Sequence, residues 1–427
     1  MSGNEARALT LASTCMKKVH LYYVLIAIGS LLRLIWPTDM EWKADEQEVH
    51  ALAYEALRTG VFPEVGIKSG GGLVNPGMSI GMFAAIAAFT DDPVEMVRVV
   101  QWLNVLSLLG FVVLARRKLV GEEREVWLVG LALAAVSPLA VLFSRKIWAQ
   151  DLLPAFVFVI VTAHMHRGKG WGAFVWGVAG ALMGQVHMSG FFYAFGLFLL
   201  TVVHDRVNGL RFPWIAWLLG SALGALTMLP WVAFLATNPQ TTNSSFWNVF
   251  QLNLYFYWLI DALGLDLYYS LREDFWDFIR YPVVGGTPTY VVALLHALLV
   301  GFAVFVLKAL FIRIGGLVQW FRQGIDRSTL LRNVSVTRFY LLSILLALGV
   351  FLPLSGATIY QHYLICAFPF PFIFLAKLLH ARSRVLLGLA ITQLALTVSF
   401  MLYIHYVGAT EQSDYGITYR AQQATTP

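Results

Sequence analysis

Apolar residues run in blocks along this chain, and the blocks are separated by short basic or aromatic-rich connections. Eleven runs stand out, near 19–36, 94–114, 124–143, 151–165, 171–187, 188–204, 213–236, 289–312, 339–354, 363–379 and 384–407. Most are about 17–25 residues long, the length an α-helix needs to cross a bilayer. The pattern predicts an all-α polytopic membrane protein with about eleven transmembrane helices. Two connections, 37–93 and 237–288, are long. The first contains Val49, Leu52, Ala53, Ala56 and Leu57 at helical spacing, then Ser69-Gly70-Gly71-Gly72, then Asn75-Pro76 and the apolar piece Met78–Phe89. That order predicts an amphipathic helix lying on the membrane, a mobile linker and a second surface helix. The second carries Trp247, Tyr255, Tyr257, Trp258, Tyr268, Tyr269 and Trp276, a composition suited to the membrane interface.

Basic residues set the orientation. With a cytoplasmic N-terminal tail (1–18), the inner loops hold Arg116-Arg117-Lys118, His166-Arg167-Gly168-Lys169, His204-Asp205-Arg206 with Arg211, the segment Arg313 to Arg338, and Arg382 with Arg384. Each cluster then falls on one side, as the Lys/Arg bias requires. The agreement needs Met78–Phe89 to lie along the outer surface, because a crossing there would move every later cluster. The segment 313–338 reads as an inner-surface amphipathic helix. The outer face receives loops 37–93 and 237–288, the turn Ser144–Gln150, the His187–Ser189 corner, the turn Ser355–His362 and a C-terminal tail, 408–427. Residues 19–407 read as one transmembrane domain without an internal repeat or a separate soluble domain.

Composition narrows the class. Of 427 residues, 58% are hydrophobic and 13% charged, too few polar groups to cover a water-soluble surface. The formal net charge of +6 sits in inner loops where orientation signals belong, so it does not imply a nucleic-acid partner. Cys15 and Cys366 fall in the N-terminal tail and in a predicted span, and they offer no disulfide framework. The first apolar run lacks a small-residue cleavage site and reads as a retained helix.

Candidate chemistry collects on the outer side. Asp45 and Glu46 stand at the start of the amphipathic stretch, in a loop instead of a span. Either caps a helix N-terminus, where anions are favoured, or serves as a general base toward a substrate arriving from the membrane. Basic groups appear at the same level: Arg33, Arg98, Arg145, Lys146, His187 and His362. Outer-face cations oppose the orientation bias. Singly they fit snorkelling toward headgroups. Together, beside two carboxylates, they fit a phosphate or pyrophosphate site. Asp151 is a candidate for orienting Arg145 or positioning an acceptor, and equally for capping the fourth helix. Tyr360 and Tyr363 flank His362 and suit either phosphate binding or interfacial anchoring. The remaining histidines lack catalytic-zinc spacing, and no nucleotide-binding fingerprint or nucleophile elbow occurs in a suitable context.

In this arrangement the chain resembles GT-C membrane glycosyltransferases of the protein O-mannosyltransferase and aminoarabinose-transferase type. The resemblance runs from a first transmembrane helix to Asp45-Glu46 and a following helix, Glu48–Arg58. It continues through Asn75-Pro76, where relatives often have Pro-Pro, to Arg98, the Ser144-Arg145 turn leading to Asp151, and His362-Tyr363 before Pro369-Phe370-Pro371. It covers most of residues 20–375. The single proline at Pro76 and the lack of a large C-terminal soluble domain depart from the family pattern.

The resemblance implies an inverting transfer from a polyprenyl-phosphate sugar donor to an acceptor (protein, lipid or glycan) on the outer face of a bacterial cell membrane. Asp45 would be the base, supported by Glu46. Arg98, Arg145, Lys146 and His362 would hold the donor phosphate, and Asp151, His187, Tyr360 and Tyr363 would bind substrate. No cofactor follows; some relatives use a divalent metal, but the outer carboxylates here are too few to predict one. The alternative is a transporter or flippase of a lipid-linked sugar, which would place ionisable groups near mid-membrane and use broken helices and a repeat.

Overall fold

The computed structural model describes residues 3–68, 72–239, 244–322, 331, 332 and 334–425. The chain is all-α apart from two small antiparallel ladders. Helix α1 (Gly3–Leu34) leads into α2 (Ala44–Thr59), a hairpin of β1 (Val65–Lys68) and β2 (Val74–Pro76), and α3 (Met78–Ala87). Next come α4 (Pro93–Lys118), α5 (Gly121–Val136) and the short α6 (Pro138–Leu142). They are followed by α7 (Leu153–Met165), α8 (Gly170–Val186), α9 (Ser189–Val207), α10 (Trp214–Ala225) and α11 (Leu229–Thr237). The connection after α11 folds as α12 (Asn253–Leu263), α13 (Tyr268–Leu271), α14 (Phe275–Phe278) and the ladder β3 (Val283–Val284) with β4 (Thr287–Pro288). The last third holds α15 (Val291–Arg322), α16 (Val336–Leu346), α17 (Leu352–Leu354), α18 (Phe370–Leu378), α19 (Ser383–Tyr406) and α20 (Tyr419–Thr425).

Every one of the eleven apolar runs coincides with helix. Among the described residues, six helices are long and apolar enough to cross a membrane, counting α10 with α11 and α16 with α17 as single rods. The turn Gln361–Ala367 and α18 would add a seventh, bent by 76°. The bundle leaves large apolar side chains facing outward: Leu218 and Leu219 on α10 are 56% and 60% exposed, and Phe311 on α15 is 80% exposed. Apolar surface of that extent requires a hydrocarbon solvent, which makes this a polytopic membrane protein.

Helices approach closely where small residues permit it. A Cβ on Gly29 of α1 would lie 2.2 Å from the Ala135 carbonyl oxygen of α5. On α10, a Cβ at Gly220 would lie 2.1 Å from the Phe174 carbonyl oxygen of α8. Such pairing is how membrane helices gain dispersion contact without a hydrophobic drive between them.

The first long loop differs from its expected form. Helix α2 is amphipathic as its spacing predicts, with Val49 and Ala53 buried. Met78–Phe89, expected to lie along the outer surface, forms a short helix packed on its neighbours: Ile80 and Phe83 of α3 are fully buried, and the helix lies against α2 and α8. The β1–β2 hairpin was not anticipated, and the expected Gly-rich linker falls largely on residues 69–71, outside the described residues. The expected inner amphipathic helix over 313–338 is in its first part a continuation of α15, up to Arg322; most of its remainder lies outside the described residues.

Candidate active site at the outer loops

Two arginines close helix ends, Arg33 that of α5 and Arg145 that of α1. A helix C-terminus leaves carbonyls without intrahelical donors, and here guanidinium groups supply them. Arg33 donates to the carbonyls of Gly29 and Ala134, both at 2.9 Å, and to Ala135. Arg145, from the turn after α6, donates to the carbonyls of Leu32 (2.9 Å), Arg33 (3.2 Å), Ile35 (2.6 Å) and Trp36 (2.8 Å). Both side chains are buried. Together they fix where the chain leaves α1 and therefore where residues 37–46 lie.

Lys146, next in sequence, points its charge into a cage. Its Nζ lies 2.9 Å from Glu41 Oε2 and 4.0 Å from Glu46 Oε1, and it sits over the Trp148 and Phe143 rings at 4.1 and 5.3 Å from their centroids. Lys146, Glu41 and Glu46 are all buried. Burial works against the lysine's charge, but Glu41, Glu46 and Asp151 together overcome it and hold its pKa above the ordinary value. Burial also pushes Glu46 up to about 7, with Lys146 pulling the other way and Glu41 adding to the rise. Glu46 has a second role, because its Oε2 accepts the Lys43 backbone N–H at 3.4 Å and so caps α2.

Asp151 is buried, and both its carboxylate oxygens are without a hydrogen-bond partner among the described residues. Its main-chain carbonyl accepts Asn104 Nδ2 at 2.8 Å, which ties the turn after α6 to α4.

An aromatic wall stands beside the cage. The His362 ring lies 4.7 Å from Trp148 and stacks on Tyr360, and its Nδ1 is 3.1 Å from the Tyr269 hydroxyl. The Tyr363 ring lies 4.9 Å from both His362 and His187, and His187 Nδ1 shares a hydrogen bond with Ser189 Oγ at 2.8 Å.

The segment after α19 straps over this end of the bundle. His405 Nδ1 and Arg420 Nε reach the Asp39 carboxylate at 2.6 and 3.1 Å, and the Tyr415 hydroxyl donates to the Asp39 carbonyl. Glu41 pairs with Thr418 through the backbone, and Gln422 Nε2 donates to the Trp42 carbonyl at 2.6 Å. On the far side, Asp414 pairs with Arg272 at 2.6 Å, and Thr410 bonds both oxygens of Asp274.

The expected residues therefore divide. Lys146 and Glu46 meet in one cluster, with Asp151 coupled to it, and His362, Tyr360, Tyr363 and His187 form the wall beside it. Asp45 lies one residue before Glu46 in the first turn of α2, exposed. Arg145 is committed to main-chain carbonyls. Arg98 is half exposed, and its ion pair is with Glu95 at 3.1 Å, one turn back on α4. Glu41, Trp148, Tyr269, Asp39 and Tyr415 were not anticipated. Only Asp39 and Glu41 carried a signal, being carboxylates in the first long loop just before the Asp-Glu pair. Among the described residues no group of three or more His, Cys, Asp or Glu is arranged to hold a metal ion; the cations among these carboxylates are the buried Lys146 ammonium and the more exposed Lys43, 3.9 Å from Glu41.

No family model matches the sequence, and no curated protein matches it. Among solved structures the chain is similar to the crystal structure of ArnT from Cupriavidus metallidurans bound to undecaprenyl phosphate. The TM-score is 0.49 with 13% sequence identity, over 91% of this chain and 65% of that one. The chain spans less than two thirds of that protein's length, and the reading of the site rests on this chain's own residues.

Proposed function

We propose that this chain is an inverting glycosyltransferase that moves a sugar from a polyprenyl-phosphate donor to an acceptor on the outer face of the membrane. The observation that carries the reading is Lys146: a buried ammonium among carboxylates, at the end of a membrane-embedded bundle, two residues from an aromatic wall. Of the cations expected to hold phosphate, Arg145 is spent on the chain's own carbonyls, whereas Lys146 is balanced by side chains that can yield. With its pKa near 7, Glu46 can take up a proton as a phosphate arrives, so that the site exchanges one negative charge for another. His362 and the tyrosine hydroxyls supply further hydrogen-bonding groups around the same point.

In the reaction, Asp45 accepts the proton of the acceptor's nucleophilic group as that group attacks the anomeric carbon from the side opposite the phosphate. The bond from the anomeric carbon to the phosphate oxygen breaks, and the electron pair leaves with polyprenyl phosphate. The Lys146 ammonium stabilises that charge in a site of low polarity, so a separate general acid is not required. Exposure suits Asp45 to an acceptor from outside, and its place in the first turn of α2 puts the carboxylate at the positive end of the helix dipole.

The test is consumption of a panel of undecaprenyl-phosphate sugars by purified protein. Wild type should release sugar from one of them, Asp45→Asn should not, and Lys146→Met should bind the donor more weakly. Turnover by Asp45→Asn at the wild-type rate would remove Asp45 from the reaction. Failure of the wild type to bind or consume any donor would remove the function itself.

A further inference from the structure

A cleft on the other side of Phe143 has no part in the reaction as written. It lies between α4, α6, α7, α12 and the bent Gln361–Ala367/α18 segment, and its walls are mostly apolar, with Phe143, Trp258 and Phe372 among them. Three polar side chains line it as well: Asn104, Asp261 and Gln361. Gln361 Nε2 donates to Asp261 Oδ1, which fixes the carboxyl against the buried turn. The Trp258 Nε1 is buried and has no hydrogen-bond partner among the described residues.

The Trp258 N–H is costly as it stands. A buried indole N–H without a partner loses its hydrogen bond to water and gains none, and native structures retain few such groups without a reason. Burial, with Asp266 close by, raises the Asp261 pKa well above the usual carboxylate range. A carboxyl held neutral both donates and accepts.

An apolar, aromatic-walled cleft with a few convergent polar groups is the usual form of a small-molecule site. The mixture here is specific. Aromatic faces suit the C–H faces of a sugar ring, and its hydroxyls need donors and acceptors side by side. A hydrocarbon chain would use none of the polar groups. The cleft also adjoins the Lys146 cage: Phe143 lines one and lies under the ammonium of the other, and Asn104 lines the cleft while holding the Asp151 carbonyl.

We propose that this cleft receives the sugar of the lipid-linked donor, with Asp261, Gln361 and Trp258 Nε1 bonding its hydroxyls. The assignment rests on the reading of Lys146 as the phosphate site.

The experiment compares binding of undecaprenyl phosphate with binding of its glucosyl, mannosyl and aminoarabinosyl derivatives. It uses the full chain in nanodiscs, as wild type, Trp258→Phe, Asp261→Asn and Lys146→Met. Wild type should bind one sugar derivative about tenfold more tightly than the bare lipid, the equivalent of about 1.4 kcal/mol. Trp258→Phe and Asp261→Asn should each lose most of that preference while binding bare undecaprenyl phosphate unchanged, and Lys146→Met should weaken all four ligands. A preference retained in both cleft variants, or absent from a wild type that binds the bare lipid, overturns the sugar assignment and leaves the phosphate site standing. Binding of no ligand by wild type removes the phosphate reading, and the sugar assignment falls with it. Trp258→Phe serves as the second probe should Asp261→Asn fail to fold.

Discussion

At the scale of single residues, the Lys146 cage makes two predictions. Lys146→Met leaves Glu41 and Glu46 facing one another with only the half-exposed Lys43 nearby, and breaking a buried ion pair from one side typically costs about 3–5 kcal/mol. Its melting temperature in detergent should fall, and adding Glu41→Gln should restore part of the loss, because the two changes share one interaction. A cage that tolerated Lys146→Met without loss would not be holding these charges together. The second prediction concerns pH. Glu46 has a folded-state pKa of about 7, above the ordinary value of 4.5, so folding favours its protonated form. Its ionisation therefore weakens the fold progressively as pH rises from about 4.5 to 7, and the penalty is complete above that. Glu46→Gln should flatten the melting profile across this window and melt above wild type at pH 8. The opposite slope would mean that Lys146 outweighs burial at this carboxylate. Residue roles were only partly legible in the sequence. Arg145 and Lys146 stand out because they fall apart from the basic clusters of the other loops, but nothing in their order says which faces carbonyls and which faces carboxylates. That division follows from the end of α1 meeting the turn after α6, a contact more than a hundred positions apart in the chain.

At the scale of elements, Arg145 belongs with α1. Arg145→Met strips four carbonyls at or beyond the helix end of their donor, and the fold should lose about 3 kcal/mol or more. Arg145→Lys should recover part of this, since one ammonium cannot span all four acceptors as a planar fork does. In variants that still fold, affinity for undecaprenyl phosphate should stay near wild type; a selective loss of that affinity with stability intact would return Arg145 to the phosphate site. Helices were the legible elements, because each apolar run is long enough to impose one. The β1–β2 hairpin was not legible. Its strands are four and three residues long, and Gly66, Asn75 and Pro76 read as loop. Helix α3 was legible as a short apolar helix, but its burial against α2 and α8 was not: a ten-residue apolar stretch fits a membrane surface and a protein groove equally well, and only the neighbouring faces show the packing.

At the scale of the whole molecule, the bundle and its outward apolar surface follow from hydropathy. The strap after α19 does not. Residues 408–425 are polar, lack periodicity, and find their partners near Asp39, Asp274 and Trp42 only once every helix is in place. Deleting the chain from Gly408 onward should leave a folded bundle of nearly unchanged helix content. Hydrogen exchange in residues 37–46 should rise sharply, with loss of any transfer activity. Unchanged exchange there would show that the two arginines hold the loop without the strap.

The strap also has a consequence in time. Asp39 and the Tyr415 that grips it are 376 positions apart, and the helices between them are inserted one after another as the chain is made. The loop bearing Asp45 and Glu46 leaves the ribosome early, but its contacts with Tyr415, Thr418 and Gln422 form only after every helix in between has been made. A chain still short of Tyr415 would therefore hold residues 37–46 without that cover.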